Sequence, residues 1–118
     1  MIELTARWHP TQAEFDAFAR VSGDDNPIHV DPAFSARTAF GDTVSHGMLI
    51  YSKLWGLLMA EHPELRQIHQ SMMFPNPCFA GEEVVLSVVQ TGPGRLRMVA
   101  WRLADDAELL VGETEVAQ

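Results

Sequence analysis

Residues 47–61 read GMLIYSKLWGLLMAE. Met48, Leu49, Ile50, Tyr51, Leu54, Trp55, Leu57, Leu58 and Met59 leave almost no polar face, which predicts a helix from Gly47 to about Glu61. Pro63 lies just beyond its end. A helix apolar nearly all round must be enclosed by other structure. It does not cross a bilayer, because the apolar run Met48–Met59 is too short and is broken by Ser52 and Lys53.

Downstream the pattern changes to strands. Runs 67–74, 82–91, 95–104 and 108–117 are rich in valine, leucine and methionine, and Gly81-Glu82, Thr91-Gly92-Pro93-Gly94 and Ala104-Asp105-Asp106-Ala107 punctuate them as turns. In the last run Leu110, Gly112, Thr114 and Val116 share one face and Glu113 and Glu115 the other, the signature of a half-buried antiparallel strand. Upstream, residues 2–8 form a strand stopped by His9-Pro10. Thr11 and Glu14 then make a capping box for a helix to about Val21 that buries Phe15, Phe18 and Ala19. SGDDNP (22–27) is a turn. Asp31-Pro32 caps a short helix over 32–39, and Phe40-Gly41-Asp42 turns again. One enclosed helix and a meander of antiparallel strands make an α+β layout, a curved sheet wrapped around an apolar helix, in one domain, 1–118. One sheet face does not cover so apolar a helix, so a second subunit is expected to complete its burial.

The net charge of −8 disfavours nucleic acid as a partner. An anionic ligand must be met by a few local cations, Lys53 and arginines such as Arg37, Arg66, Arg95 and Arg97. The start, MIELTARWHPTQ, has no basic segment followed by an apolar run and does not read as a signal peptide. Cys78 is the single cysteine, which suits a reducing, cytoplasmic setting. It has no base beside it in sequence and reads as an inert thiol. His62 and His69 lack the spacing of a helical metal pair, and Gly92-Pro93-Gly94 is a hairpin, not a phosphate loop.

Two stretches carry chemistry. In Ser22-Gly23-Asp24-Asp25-Asn26-Pro27-Ile28-His29, the carboxylate of Asp24 and the imidazole of His29 stand five positions apart on a tight turn and can converge on one water. Asn26 and Pro27 would stiffen that turn. The bland alternative is that Asp24 and Asp25 only cap the turn. In Ser45-His46-Gly47-Met48 the apolar helix begins. Its free N–H groups would stabilise a carbonyl oxygen gaining negative charge, and Gly47 has no side chain to block approach.

The order helix, SGDDNPIHVDPAFSARTAFGDTVSHGM (22–48), apolar helix, strands resembles the MaoC-like family of (R)-specific enoyl-CoA hydratases, as does FPNPCFAGEEV (74–84). The resemblance implies a hot-dog fold, a homodimer, an acyl-CoA or acyl-carrier thioester as substrate, and no metal or redox cofactor. It carries the catalytic pair over to Asp24 and His29, and the oxyanion donor to the backbone N–H of Gly47. Asn26, Ser45, His46, Met48 and Trp55 are expected to contact substrate. Trp55 stands where relatives tend to carry a small or polar residue. It reads first as core, and as a side chain that could shorten the acyl pocket. Lys53, unusual in so apolar a helix, is expected to reach the surface or a phosphate of coenzyme A. Rival readings are the reverse dehydration, a hot-dog thioesterase and a non-catalytic acyl-thioester-binding subunit.

Overall fold

The computed structural model describes all residues, 1–118. The elements run β1 (Glu3–Trp8), α1 (Gln12–Ser22), α2 (Pro27–Val30), α3 (Pro32–Ser35), α4 (Gly47–Glu61), β2 (Arg66–Met73), β3 (Val84–Gly92), β4 (Arg95–Arg102) and β5 (Glu108–Ala117). The strands form one antiparallel sheet in the order β1-β3-β4-β5-β2. Only β3-β4-β5 is a meander. β2 lies outside β5, because α4 carries the chain across the sheet face before β2 begins. The result is the hot-dog fold, with the sheet curved around α4.

Side-chain alternation sets the face. Val84, Leu86 and Val88 of β3, Leu96, Met98 and Ala100 of β4, and Leu110, Gly112, Thr114 and Val116 of β5 all point inward and are buried. They pack on Leu49, Ile50, Leu54 and Leu58 of α4. Each fully buried leucine contributes roughly 2 kcal/mol of hydrophobic stabilisation. The opposite side of α4, Met48, Ser52, Gly56 and Ala60, is exposed. The chain alone therefore leaves one stripe of the helix open.

Several local expectations change. Glu14 does not reach back to close a capping box. Thr11 accepts from Glu14 N–H, but the Glu14 carboxylate turns instead to Trp8 Nε1 and Lys53 Nζ, the latter at 2.7 Å. Burial opposes ionisation of Glu14, but the Lys53 ammonium and the Trp8 N–H outweigh it and hold the carboxyl below its ordinary value of 4.5. Lys53, which also lies over the Trp8 ring, reaches the surface with its side chain 36% exposed and its ammonium paired to Glu14. The helix expected over 32–39 ends at Ser35, and the turn over 22–27 leads into a separate short helix, α2.

Candidate active site

Gly23 starts the site. It caps α1 with φ of 81°, a left-handed conformation that glycine adopts without a Cβ penalty, and its N–H bonds Ala19 O. The chain reverses there and puts Asp24 beside the start of α4. Ser22 Oγ accepts from Asp24 N–H, and the Asp24 carboxylate accepts from Asn26 N–H, a compact Asx turn. Asn26 then caps α2 by accepting from Ile28 N–H. Its side chain is spent on the backbone, so Asn26 stiffens the turn and does not line the cleft.

α2 delivers His29 to a buried position. His29 Nδ1 lies 2.7 Å from Val44 O, so Nδ1 carries a proton and donates to that carbonyl. Val44 is held in turn by its N–H to Ile28 O and by a bridge to Phe79. Gln12 Nε2 donates to His29 O, which ties α2 to α1. The free edge of the ring, Nε2, faces the cleft and stands 3.7 Å from Asp24 Oδ2. That is too far for a hydrogen bond between them. With the imidazole neutral, both atoms are acceptors, and two facing acceptors call for a donor between them. A water molecule, with two O–H groups, meets that need.

His46 completes the arrangement in a way its sequence position did not reveal. Its ring stacks on His29 with centroids 3.8 Å apart and planes 22° from parallel, and Phe18 packs against the same ring with centroids 4.9 Å apart. His46 Nε2 donates to Asp24 O at 2.8 Å. The imidazole thereby pins the Asp24 backbone over His29. Its Nδ1 is buried with no partner. Asp24, His29 and His46 offer ligand atoms within 4.8 Å of one another. Backbone carbonyls occupy one nitrogen of each ring, which leaves His29 Nε2, His46 Nδ1 and the Asp24 carboxylate as the free ligand atoms of the trio.

These residues line a cleft of about 520 Å³. Asp24, His29, Ser45, His46, Gly47 and Met48 all border it, and Ile50, Cys78 and Leu109 contribute apolar wall. Gly47 begins α4, its N–H finds no acceptor in the chain, and no side chain caps that end. Ser45 N–H is bound to Cys78 O and Leu49 N–H to His46 O, so the N–H groups of His46, Gly47 and Met48 between them are free at the helix start. Burial pushes the Cys78 thiol up to about 12, helped by the nearby Glu82 carboxylate, so the thiol stays protonated. Trp55 is not part of the cleft. It is half-buried against the core of α4 and the sheet. Sequence reasoning missed Phe18, Phe40 and Phe74, which border the cleft from α1, from the loop after α3 and from the end of β2.

The family model of the MaoC like domain matches residues 2–108. An (R)-specific enoyl-CoA hydratase of Aeromonas caviae is 47% identical over 81 residues, which cover 67% of this chain and 60% of that protein. A mitochondrial 3-hydroxyacyl-[acyl-carrier-protein] dehydratase of Arabidopsis thaliana is 35% identical over 77 residues, covering 65% of this chain and 46% of that protein. The chain thus matches about half of the length of these curated relatives. Among solved structures, the (R)-hydratase from A. caviae involved in PHA biosynthesis matches with a TM-score of 0.87 and 33% identity, over 98% of this chain and 92% of that one. The two segments that build the cleft, 22–29 and 45–48, both fall inside the matched residues, and the chain belongs to the MaoC-like domain family.

Proposed function

We propose that the protein hydrates 2-enoyl thioesters of coenzyme A to (3R)-3-hydroxyacyl thioesters, or runs the reverse dehydration. The observation that carries the reading is the approach of His29 Nε2 and Asp24 Oδ2 to 3.7 Å, close enough to share one water, beside a free helix N–H at Gly47. The water donates one O–H to each acceptor. Its oxygen attacks C3, the C2–C3 π electrons move toward the thioester carbonyl, and the carbonyl oxygen gains charge at the Gly47 N–H. The Asp24 carboxylate takes the water's proton, and His29 orients the water. The pair then returns one proton to C2, so a C3–O and a C2–H bond replace the π bond. Two coupled acceptors share that duty. Neither a metal nor a redox cofactor is required by this sequence of steps.

Names of both hydratases and dehydratases among the relatives support either direction. The apolar wall suits an acyl chain, and Arg37, exposed in the loop leading to Phe40 at the mouth, is a cation available to a phosphate. We propose a homodimer as the working unit. β2 is an edge strand with Ile68 and Met73 exposed, and α4 has an open stripe, so a second copy would cover both. No helix is long and apolar enough to cross a membrane. A single, unpaired and buried cysteine suits the cytoplasmic location that we propose. The test is the absorbance of the conjugated enoyl thioester with crotonyl-CoA, followed by chiral analysis of the product. Loss of absorbance with (3R) product supports the reading. Release of free coenzyme A from saturated acyl-CoA, with no hydration, replaces it with a thioesterase.

A further inference from the structure

Residues 74–83 join β2 to β3 and form no helix or strand of their own, so side chains must supply the bonds that a ladder would otherwise give. Arg102, the last residue of β4, supplies several of them. Its side chain is only 14% exposed. Arg102 Nη2 donates to Pro77 O at 2.7 Å. The guanidinium also pairs with the Glu82 carboxylate through Nε and with Asp105 Oδ2 at 2.9 Å through Nη1. The other oxygen of Glu82, Oε1, accepts the Phe79 N–H at 3.1 Å. One ion pair therefore grips the chain on both sides of Cys78, at the carbonyl of Pro77 and at the N–H of Phe79. The gripped segment leads to the cleft. Cys78 O accepts the Ser45 N–H at 2.7 Å, and Phe79 is bridged to Val44. Val44 O accepts the Nδ1 proton of His29, and Ser45 lies two residues before Gly47.

We propose that Arg102, together with Glu82, is a positioning residue that fixes the backbone of residues 44–47, and with it the Nδ1–H tautomer of His29 and the place of the Gly47 N–H. The inference rests on the hydratase reading above and deepens it. Arg102 does not border the cleft and acts only through Pro77, Cys78 and Phe79. Its planar fork serves Glu82, Pro77 O and Asp105 at once, which a single ammonium cannot do. Charge on the thioester oxygen grows only as water adds, so a displaced Gly47 N–H weakens the transition state more than the bound ground state. The loss therefore falls on kcat and leaves KM nearly unchanged.

The test compares wild type with Arg102→Met and Arg102→Lys. Hydration of crotonyl-CoA gives kcat and KM, thermal melts check folding, and proton–nitrogen NMR reads the Gly47 amide and the imidazole nitrogens of His29. Arg102→Met should lower kcat on the order of 100-fold with KM within about twofold of wild type, and should shift the Gly47 and His29 signals. Arg102→Lys keeps a charge for Glu82 but loses the fork. It should lower kcat about tenfold, and it carries the comparison should Arg102→Met fail to fold. Folded variants with wild-type kcat, or with the Gly47 and His29 signals unmoved, overturn the proposal. A loss confined to KM also overturns it and makes Arg102 a support of the cleft wall alone. Shifted signals in the variants of a protein that hydrates no enoyl thioester keep the positioning role and overturn the hydratase reading.

Discussion

Replacement of His46 by phenylalanine separates the holding of Asp24 from the stability of the fold. Phenylalanine keeps an aromatic ring on His29 and Phe18 but removes the Nε2–H that donates to Asp24 O at 2.8 Å. Loss of that bond costs about 1 kcal/mol, and the larger ring adds a packing cost of about 1 kcal/mol. Against this, the substitution deletes Nδ1, a buried acceptor with no partner. Removal of an unsatisfied buried group returns about 1–3 kcal/mol. The terms nearly cancel, so the melting temperature should move by no more than about 5 °C. Activity has no such compensation. The Asp24 side chain is 57% exposed and loses its backbone anchor. A misplacement of about 1 Å costs on the order of 100-fold in rate. His46→Phe should therefore melt near wild type and hydrate crotonyl-CoA roughly 100-fold more slowly. His46→Gln, which keeps an N–H donor, should recover part of the rate. A folded His46→Phe with kcat/KM within about threefold of wild type would refute the argument that His46 positions Asp24.

Two further predictions concern the frame. Glu14 ionises more readily in the fold than its ordinary value of 4.5, so its contribution is fully present above that pH and is lost as pH falls through the depressed folded value. Glu14→Gln should accordingly lower the melting temperature at neutral pH, and its gap to wild type should narrow as pH falls through the depressed folded value; a gap that stays constant as the pH is lowered contradicts the Lys53–Glu14–Trp8 assignment. Cys78 is 2% exposed and its thiol is pushed up to about 12, so native protein at about pH 8 should resist iodoacetamide and become labelled only in denaturant. Prompt alkylation of native protein would mean that the cleft wall opens.

The sequence made the frame of the site legible because its signals are local. An apolar run from Gly47 to Glu61 announces an enclosed helix, and Asp24 and His29 lie on one short turn. The partition of β5 into Leu110, Gly112, Thr114 and Val116 against Glu113 and Glu115 follows from period alone. What was not legible depends on contacts between distant segments. Pairing of β2 with β5 is set by where α4 releases the chain, and no residue pattern encodes that. Glu14 has capping-box spacing, yet Lys53 and Trp8 outbid the backbone because a charge-assisted bond is the stronger. The packing of the Phe74 ring against Gly47 joins residues far apart in the chain. Helix α2 was readable and was overlooked: Asn26-Pro27 is the same cap-and-proline signature as Asp31-Pro32.

The central claim is that Asp24 and His29 act together on one water. The most direct measurement is the rate of crotonyl-CoA hydration in wild type, Asp24→Asn, His29→Ala and the double variant, with melts to establish folding. The account predicts that each single substitution lowers kcat by roughly 1,000-fold or more and that the double variant is little slower than either single, because residues acting as a unit are strongly non-additive. Folded single variants that retain wild-type rates, or losses that simply multiply in the double variant, would contradict it.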